Sequence, residues 1–167
     1  MPYTNKTYVA FDADNDIRYY RLMQAWKKND STSFNFYDAH DLTNLMTWSS
    51  EETIKASLQE RLRSTKVFVV LVGNNTKYLY KFVRWEIEQA IKRDIPIIVV
   101  NINSKRSKDL NLCPSILDDE LAVFVSFNQK IIEHAIDSWY DNHYECRTAG
   151  NSGAYYYNDS IYRDLGL

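Results

Sequence analysis

The 167-residue sequence predicts an α/β protein built on a doubly wound parallel sheet, and three observations predict it. The runs VFVVLV (67–72) and IPIIVVNIN (95–103) are apolar without alternation, as strands are when helices cover both of their faces. Between them, FVRWEIEQAIKR (82–93) sets Val83, Ile87, Ala90 and Ile91 on one stripe at helical spacing, which makes a strand, helix, strand unit. Along the rest of the chain strand-length runs alternate with amphipathic helical stretches, giving five parallel strands in flavodoxin-like order with helices on both faces.

Taken in order, TYVAFD (7–12) reads as the first strand and DADND (12–16) as an acidic turn rich in helix N-caps. A helix over 16–29 then places Tyr19, Leu22, Met23 and Trp26 on a core stripe. KKNDSTS breaks that helix, and FNFY (34–37) alternates as a second strand. The loop DAHDLTNLMTWSS (38–50) follows at the carboxyl end of that strand, where open α/β sheets take ligands. Ser49 with Glu52 reads as a capping box for a helix over 51–64 that buries Ile54, Leu58 and Leu62. The two apolar strands and their helix come next, with Pro96 early enough in its strand to be tolerated. LAVFVSF (121–127) is the fifth strand, and a helix over 129–143 packs through Ile132, Ala135, Ile136 and Trp139. The pattern stops there. Residues 1–143 form one domain, and 144–167, with Gly150, Gly153 and four tyrosines beyond them, form an arm that packs on the domain or on a partner.

Composition excludes several classes. The formal net charge is −2 with no basic block, so a phosphate-tracking nucleic-acid surface is not expected. Cys113 and Cys146 stand far apart without a CxxC, which reads as free thiols in a reducing compartment. No apolar run approaches the ~20 residues of a membrane span and no signal-peptide pattern opens the chain, so a cytoplasmic protein without a membrane partner is expected. Neither GxGxxG nor GxxxxGK[ST] occurs, and His40, His134 and His143 lack metal-ligand spacing, so neither a glycine phosphate loop nor a metal is expected. His40, in the loop after the second strand, is the histidine placed to touch a ligand.

On the 82–93 helix Glu86 falls roughly 85° from the centre of the buried stripe, beside Phe82 and Gln89, while Glu88 points to water. Phase alone leaves a surface glutamate and a cleft acid both open. Trp85 comes out nearly opposite the core, exposed, and so reads as an interface residue. An acidic turn after the first strand also invites comparison with phosphoacceptor receivers. Those need an aspartate at the end of the third strand, where this chain has VLVGNN.

Several pieces taken together resemble the TIR domain family, and most closely the TIR-like proteins of bacterial Thoeris antiphage defence. They are VAFDADND; FYDA through Asp38; VLVGNNT with Gly73 and Thr76; FVRWEI; and VVNIN with Asn103. They span roughly residues 7–103. The resemblance implies an enzyme that cleaves the nicotinamide-ribosyl bond of NAD⁺, taken as substrate with no cofactor, with Glu86 as the catalytic acid. It implies a cyclic ADP-ribose-type product that reaches an effector protein by diffusion, self-assembly, and a phage-derived trigger.

Asp12, Asp38, Phe82 and Asn103 are the further substrate-binding candidates. For each a structural duty stands beside the functional one. Asp12 and Asp14 can line the cleft mouth or cap the first helix, and Asp38 can meet ligand or cap a turn. Phe82, where the family often has tryptophan, can wall the acid or pack in the core. Asn103 can contact ribose or phosphate or satisfy its loop. Two other functions remain open at this point. One is a TIR interaction module without turnover; the other is a nucleoside deoxyribosyltransferase-like hydrolase, which also works an N-ribosyl bond with a glutamate.

Overall fold

The computed structural model describes residues 6–29 and 50–167. FNFY, Asp38, His40 and Ser49 lie outside the described residues. The described chain forms a five-stranded sheet, β1 (Thr7–Ala10), β2 (Val67–Val72), β3 (Ile97–Asn101), β4 (Ala122–Ser126) and β5 (Ala154–Tyr156), all parallel and in that spatial order. Five helices accompany it among these residues: α1 (Ile17–Lys28), α2 (Glu51–Arg63), α3 (Val83–Lys92), α4 (Gln129–Thr148) and α5 (Asp159–Asp164).

Strand alternation divides the interior in two. Val9, Val69, Leu71, Ile98, Val100, Val123 and Val125 face α1, α4 and α5, where Tyr20, Met23, Ile132, Trp139 and Tyr162 meet them. Tyr8, Ala10, Phe68, Val70, Val72, Val99 and Phe124 face the other way and pack with Leu58 and Leu62 of α2 and Val83, Ile87 and Ala90 of α3. Both faces are covered, so β2, β3 and β4 are buried at every position, and the apolar runs that announce them have no polar side to show.

The parallel sheet is as expected, but its fifth described strand is not. β5 comes from the tail, pairing Ala154, Tyr155 and Tyr156 with Ala122, Val123 and Phe124. Gly153, at φ 92, turns the chain into it, and Gly153 O accepts from Ala122 N–H at 3.3 Å. Beyond it Tyr162 of α5 is fully buried in the α1/α4 core.

Three local readings are corrected. In α1 the buried residues are Tyr20 and Met23, and Leu22 is exposed, because the helix presents a stripe centred one residue later than Tyr19 and Leu22. The cap of α2 is Ser50, whose Oγ accepts from Thr53 N–H at 3.2 Å, one residue beyond the Ser49 box. Trp85 is half-buried against the α2/α3 core, with Lys55 Nζ 5.2 Å from its ring centroid. α3 packs against α2 as well as the sheet, and α2 covers the flank that carries Trp85.

α4 runs to Thr148, five residues past the boundary read at 143. There His143, buried, and Arg147 reach Asp94 Oδ1 at 2.9 Å each, tying the end of α4 to the left-handed residue that closes α3.

Candidate active site

Beside the carboxyl end of β1, between α2 and α3, lies a cavity of about 490 Å³, within the size range of ligand sites. Val9 to Asp14 form one wall, Ile54 and Leu58 of α2 a second, and Tyr78 to Val83 with Glu86 the third. Each wall has a local cause. The 12–16 turn is held by Asp12, whose Oδ1 accepts from the N–H groups of Asp14 and Asn15 at 3.1 and 3.3 Å while Oδ2 accepts from Asn15 Nδ2 at 2.7 Å. The turn after β2 is held by buried Thr76, whose Oγ1 accepts from Gly73 N–H at 2.9 Å. At Gly73 an added Cβ would press on the Asp16 carboxylate, 2.9 Å from its Cγ.

Glu86 lies one turn after Phe82, whose carbonyl accepts from Glu86 N–H at 2.7 Å. Its side chain is buried, 7% exposed, yet it contributes to the cavity wall. The Tyr8 hydroxyl donates to Glu86 Oε2. Removal from water pushes the Glu86 pKa up to about 7, with the Tyr8 hydrogen bond opposing the shift. At neutral pH this carboxyl is poised between its two forms, as a group that exchanges protons with a substrate needs to be.

The structure brings Asp12, Asp14, Phe82 and Glu86 to one cavity. Asp12 is itself buried, with both oxygens engaged by its own turn. It does not cap α1, whose N-cap is Asp16 without a side-chain hydrogen bond. Asn103 stands elsewhere: it is exposed and its Nδ2 donates to Asp109 Oδ2 at 2.9 Å, within the loop after β3. Asp38 lies outside the described residues.

Sequence reasoning missed Tyr8, which it absorbed into a strand. The available signal was its hydroxyl, because a tyrosine buried mid-strand must find a polar partner. It also missed Tyr78 and Tyr80 at the cavity's outer wall, both more than half exposed. Among the described residues no group of three or more His, Cys, Asp or Glu is placed to hold a metal, and no helix is long and apolar enough to cross a membrane.

An all-parallel α/β sheet covered by helices on both faces is a fold of the TIR type. Residues 8–107 match the family described as Thoeris protein ThsB, TIR-like domain, and the chain belongs to that family. The match takes in Tyr8, Asp12, Phe82, Glu86 and Asn103 and stops before β4. A comparison with curated proteins returns no match.

Proposed function

We propose that this Thoeris TIR protein consumes NAD⁺, breaking the nicotinamide-ribosyl bond with Glu86 as the catalytic group. The observation that carries the reading is a buried carboxyl with its pKa raised to about 7 in the wall of an aromatic-lined cavity, where the other buried acid, Asp12, has both oxygens engaged by its own turn. One acid suffices for this bond. Nicotinamide is bound as a cationic pyridinium and leaves with the bonding electron pair as a neutral base, so nothing has to protonate it. Positive charge develops on the ribose instead, and a carboxylate fixed beside the sugar stabilises it. A hydroxyl then forms the new bond to the anomeric carbon and releases its proton to Glu86.

The cavity wall suits such a substrate. Phe11, Phe82, Tyr78 and Tyr80 give it an aromatic lining against which a flat ring can pack. Asp12, Asp14 and Glu86 make the interior acidic, and Lys81, with its Nζ 3.6 Å from Glu51 Oε2 and 5.5 Å from the Phe82 ring centroid, is the basic residue among the described lining. Attack by a hydroxyl of the same ADP-ribose gives a cyclic product that diffuses to an effector protein; attack by water gives linear ADP-ribose. Self-assembly and a phage-derived trigger belong to the same proposal, as does a cytoplasmic site of action.

The test incubates wild type, Glu86→Gln and the solvent-face control Glu88→Gln with NAD⁺, alone and in lysate of phage-infected cells, and follows nicotinamide and nucleotide products. Glu86→Gln is expected to lose at least ~1,000-fold in rate while Glu88→Gln matches wild type. Defence that survives Glu86→Gln would mark a non-catalytic interaction module. Cleavage of nucleosides with NAD⁺ untouched would mark the deoxyribosyltransferase-like alternative.

A further inference from the structure

Tyr8 is fully buried on β1, opposite Phe68 of β2, and the two rings stack with centroids 5.4 Å apart. Phe68 fills the same layer without a hydroxyl, so packing alone does not call for one at position 8. The hydroxyl that Tyr8 does carry donates to Glu86 Oε2. Glu86 lines the cavity and Tyr8 does not, so the strand grips the carboxylate from behind. No other hydrogen bond from the described residues reaches it.

We infer that Tyr8 is a positioning residue of this site, whose hydroxyl anchors Glu86 Oε2 to the sheet and so presents Oε1 to the substrate in the cavity. The inference rests on the proposed function for its catalytic meaning, while the anchoring itself does not. A glutamate side chain has three rotatable bonds and loses little by turning within a cavity. One buried donor on a rigid strand removes that freedom before substrate arrives, as productive orientation demands.

The donor is also permanent. Burial, then the charge of Glu86, push the Tyr8 phenol well above its ordinary range, against a lesser pull from Arg61 of α2. Tyr8 therefore keeps its proton at working pH and has it to donate to the ionised carboxylate. A hydrogen bond to the ionised carboxylate favours that form. Without it, burial acts alone and Glu86 holds its proton more tightly. The other charged groups around the cavity are Asp12 and Asp14 from the β1 turn and Lys81 from the segment before α3, and none of them is hydrogen-bonded to Glu86.

Tyr8→Phe keeps the ring and its stacking and removes the hydroxyl. The Glu86 side-chain carboxyl is followed by carbon-13 NMR titration, assigned with Glu86→Gln, and NAD⁺ turnover is measured across pH. In Tyr8→Phe the Glu86 midpoint is expected above its wild-type value of about 7. The acid limb of kcat/KM should move the same way, and kcat at pH 7 should fall by about 10- to 100-fold with KM little changed. Tyr162→Phe, a buried tyrosine on the opposite face whose oxygen accepts from Ser126 N–H at 3.4 Å, is the control for lost packing and should leave the pH profile in place.

Should Tyr8→Phe fail to fold, 3-fluorotyrosine at position 8, a stronger donor, should move the Glu86 midpoint down. An unmoved midpoint overturns the anchoring, and a moved midpoint with an unmoved pH limb overturns its role in turnover. If wild type releases no nicotinamide, the proposed function fails alone, and the NMR titration still decides whether Tyr8 holds Glu86.

Discussion

Glu86 and Asp109 are both withdrawn from water, 7% and 3% exposed, yet their proton affinities move in opposite directions, to about 7 and about 2. Burial raises both. Among the described residues Glu86 has one hydrogen-bond donor, the Tyr8 hydroxyl. Asp109 has Asn103 Nδ2 and Asn111 N–H at 2.9 Å, Leu112 N–H at 3.0 Å and Lys105 Nζ at 3.2 Å. In these two regions the supply of donors, not depth, decides whether a carboxylate stays charged. The well-supplied acid organises a loop, and the poorly supplied one keeps a proton it can trade.

The largest expected effect on stability is at Glu86. Its folded pKa of about 7 lies above the ordinary 4.5. Below about pH 4.5 the group is protonated in both folded and unfolded chains; above it the unfolded chain ionises first, and folding loses up to roughly 3 kcal/mol by pH 8. Glu86→Gln escapes that loss, so denaturant melts should find it more stable than wild type at pH 8, with the gap closing by pH 5. A gap that ignores pH would remove the contrast between the two acids.

Asp109→Ala should cost about 2 kcal/mol at neutral pH by leaving four donors unmatched. Its folded pKa is below the ordinary 3.8, so its contribution is complete above that value and disappears as pH falls through about 2. The difference from wild type should narrow in acid, which is the reverse of the order at Glu86.

A third acid sharpens the comparison. Asp16 Oδ2 is buried and meets no hydrogen-bond partner among the described residues, and burial followed by the charge of Asp12 raises its pKa, against Arg18. Gly73→Ala presses a methyl group on that carboxylate and should cost about 1–2 kcal/mol in a thermal melt. Glu88→Gln, at an exposed position on α3, sets the baseline and should stay within ~0.5 kcal/mol.

How far the sequence could be read follows the same physics. β2, β3 and α3 were legible because strands greasy on both faces and a helix greasy on one leave period and length as unmistakable marks. The cavity wall at Glu86 was legible only as a border position on that helix. Its counterpart was hidden, because a tyrosine in a strand reads as an ordinary β-former and its hydroxyl acquires meaning only when α3 crosses over it. β5 was illegible for another reason: three residues, two exposed and one half-buried, leave no apolar run to find. Trp85 and Leu22 show the limit of phase arithmetic, which considers one neighbouring surface at a time while a side chain meets several.

The strand at the end of the sheet bears on how the molecule can be cut. β5 and α5 lie within residues 154–167, past the stretch that matches the family. A shortened version ending near Gly150 would keep every residue of the cavity wall, but it would bare the backbone ladder of β4 and open a hole where Tyr162 sits. Such an edge recruits other chains, so trimming the tail is a route to aggregates, and an inactive fragment would say nothing about Glu86.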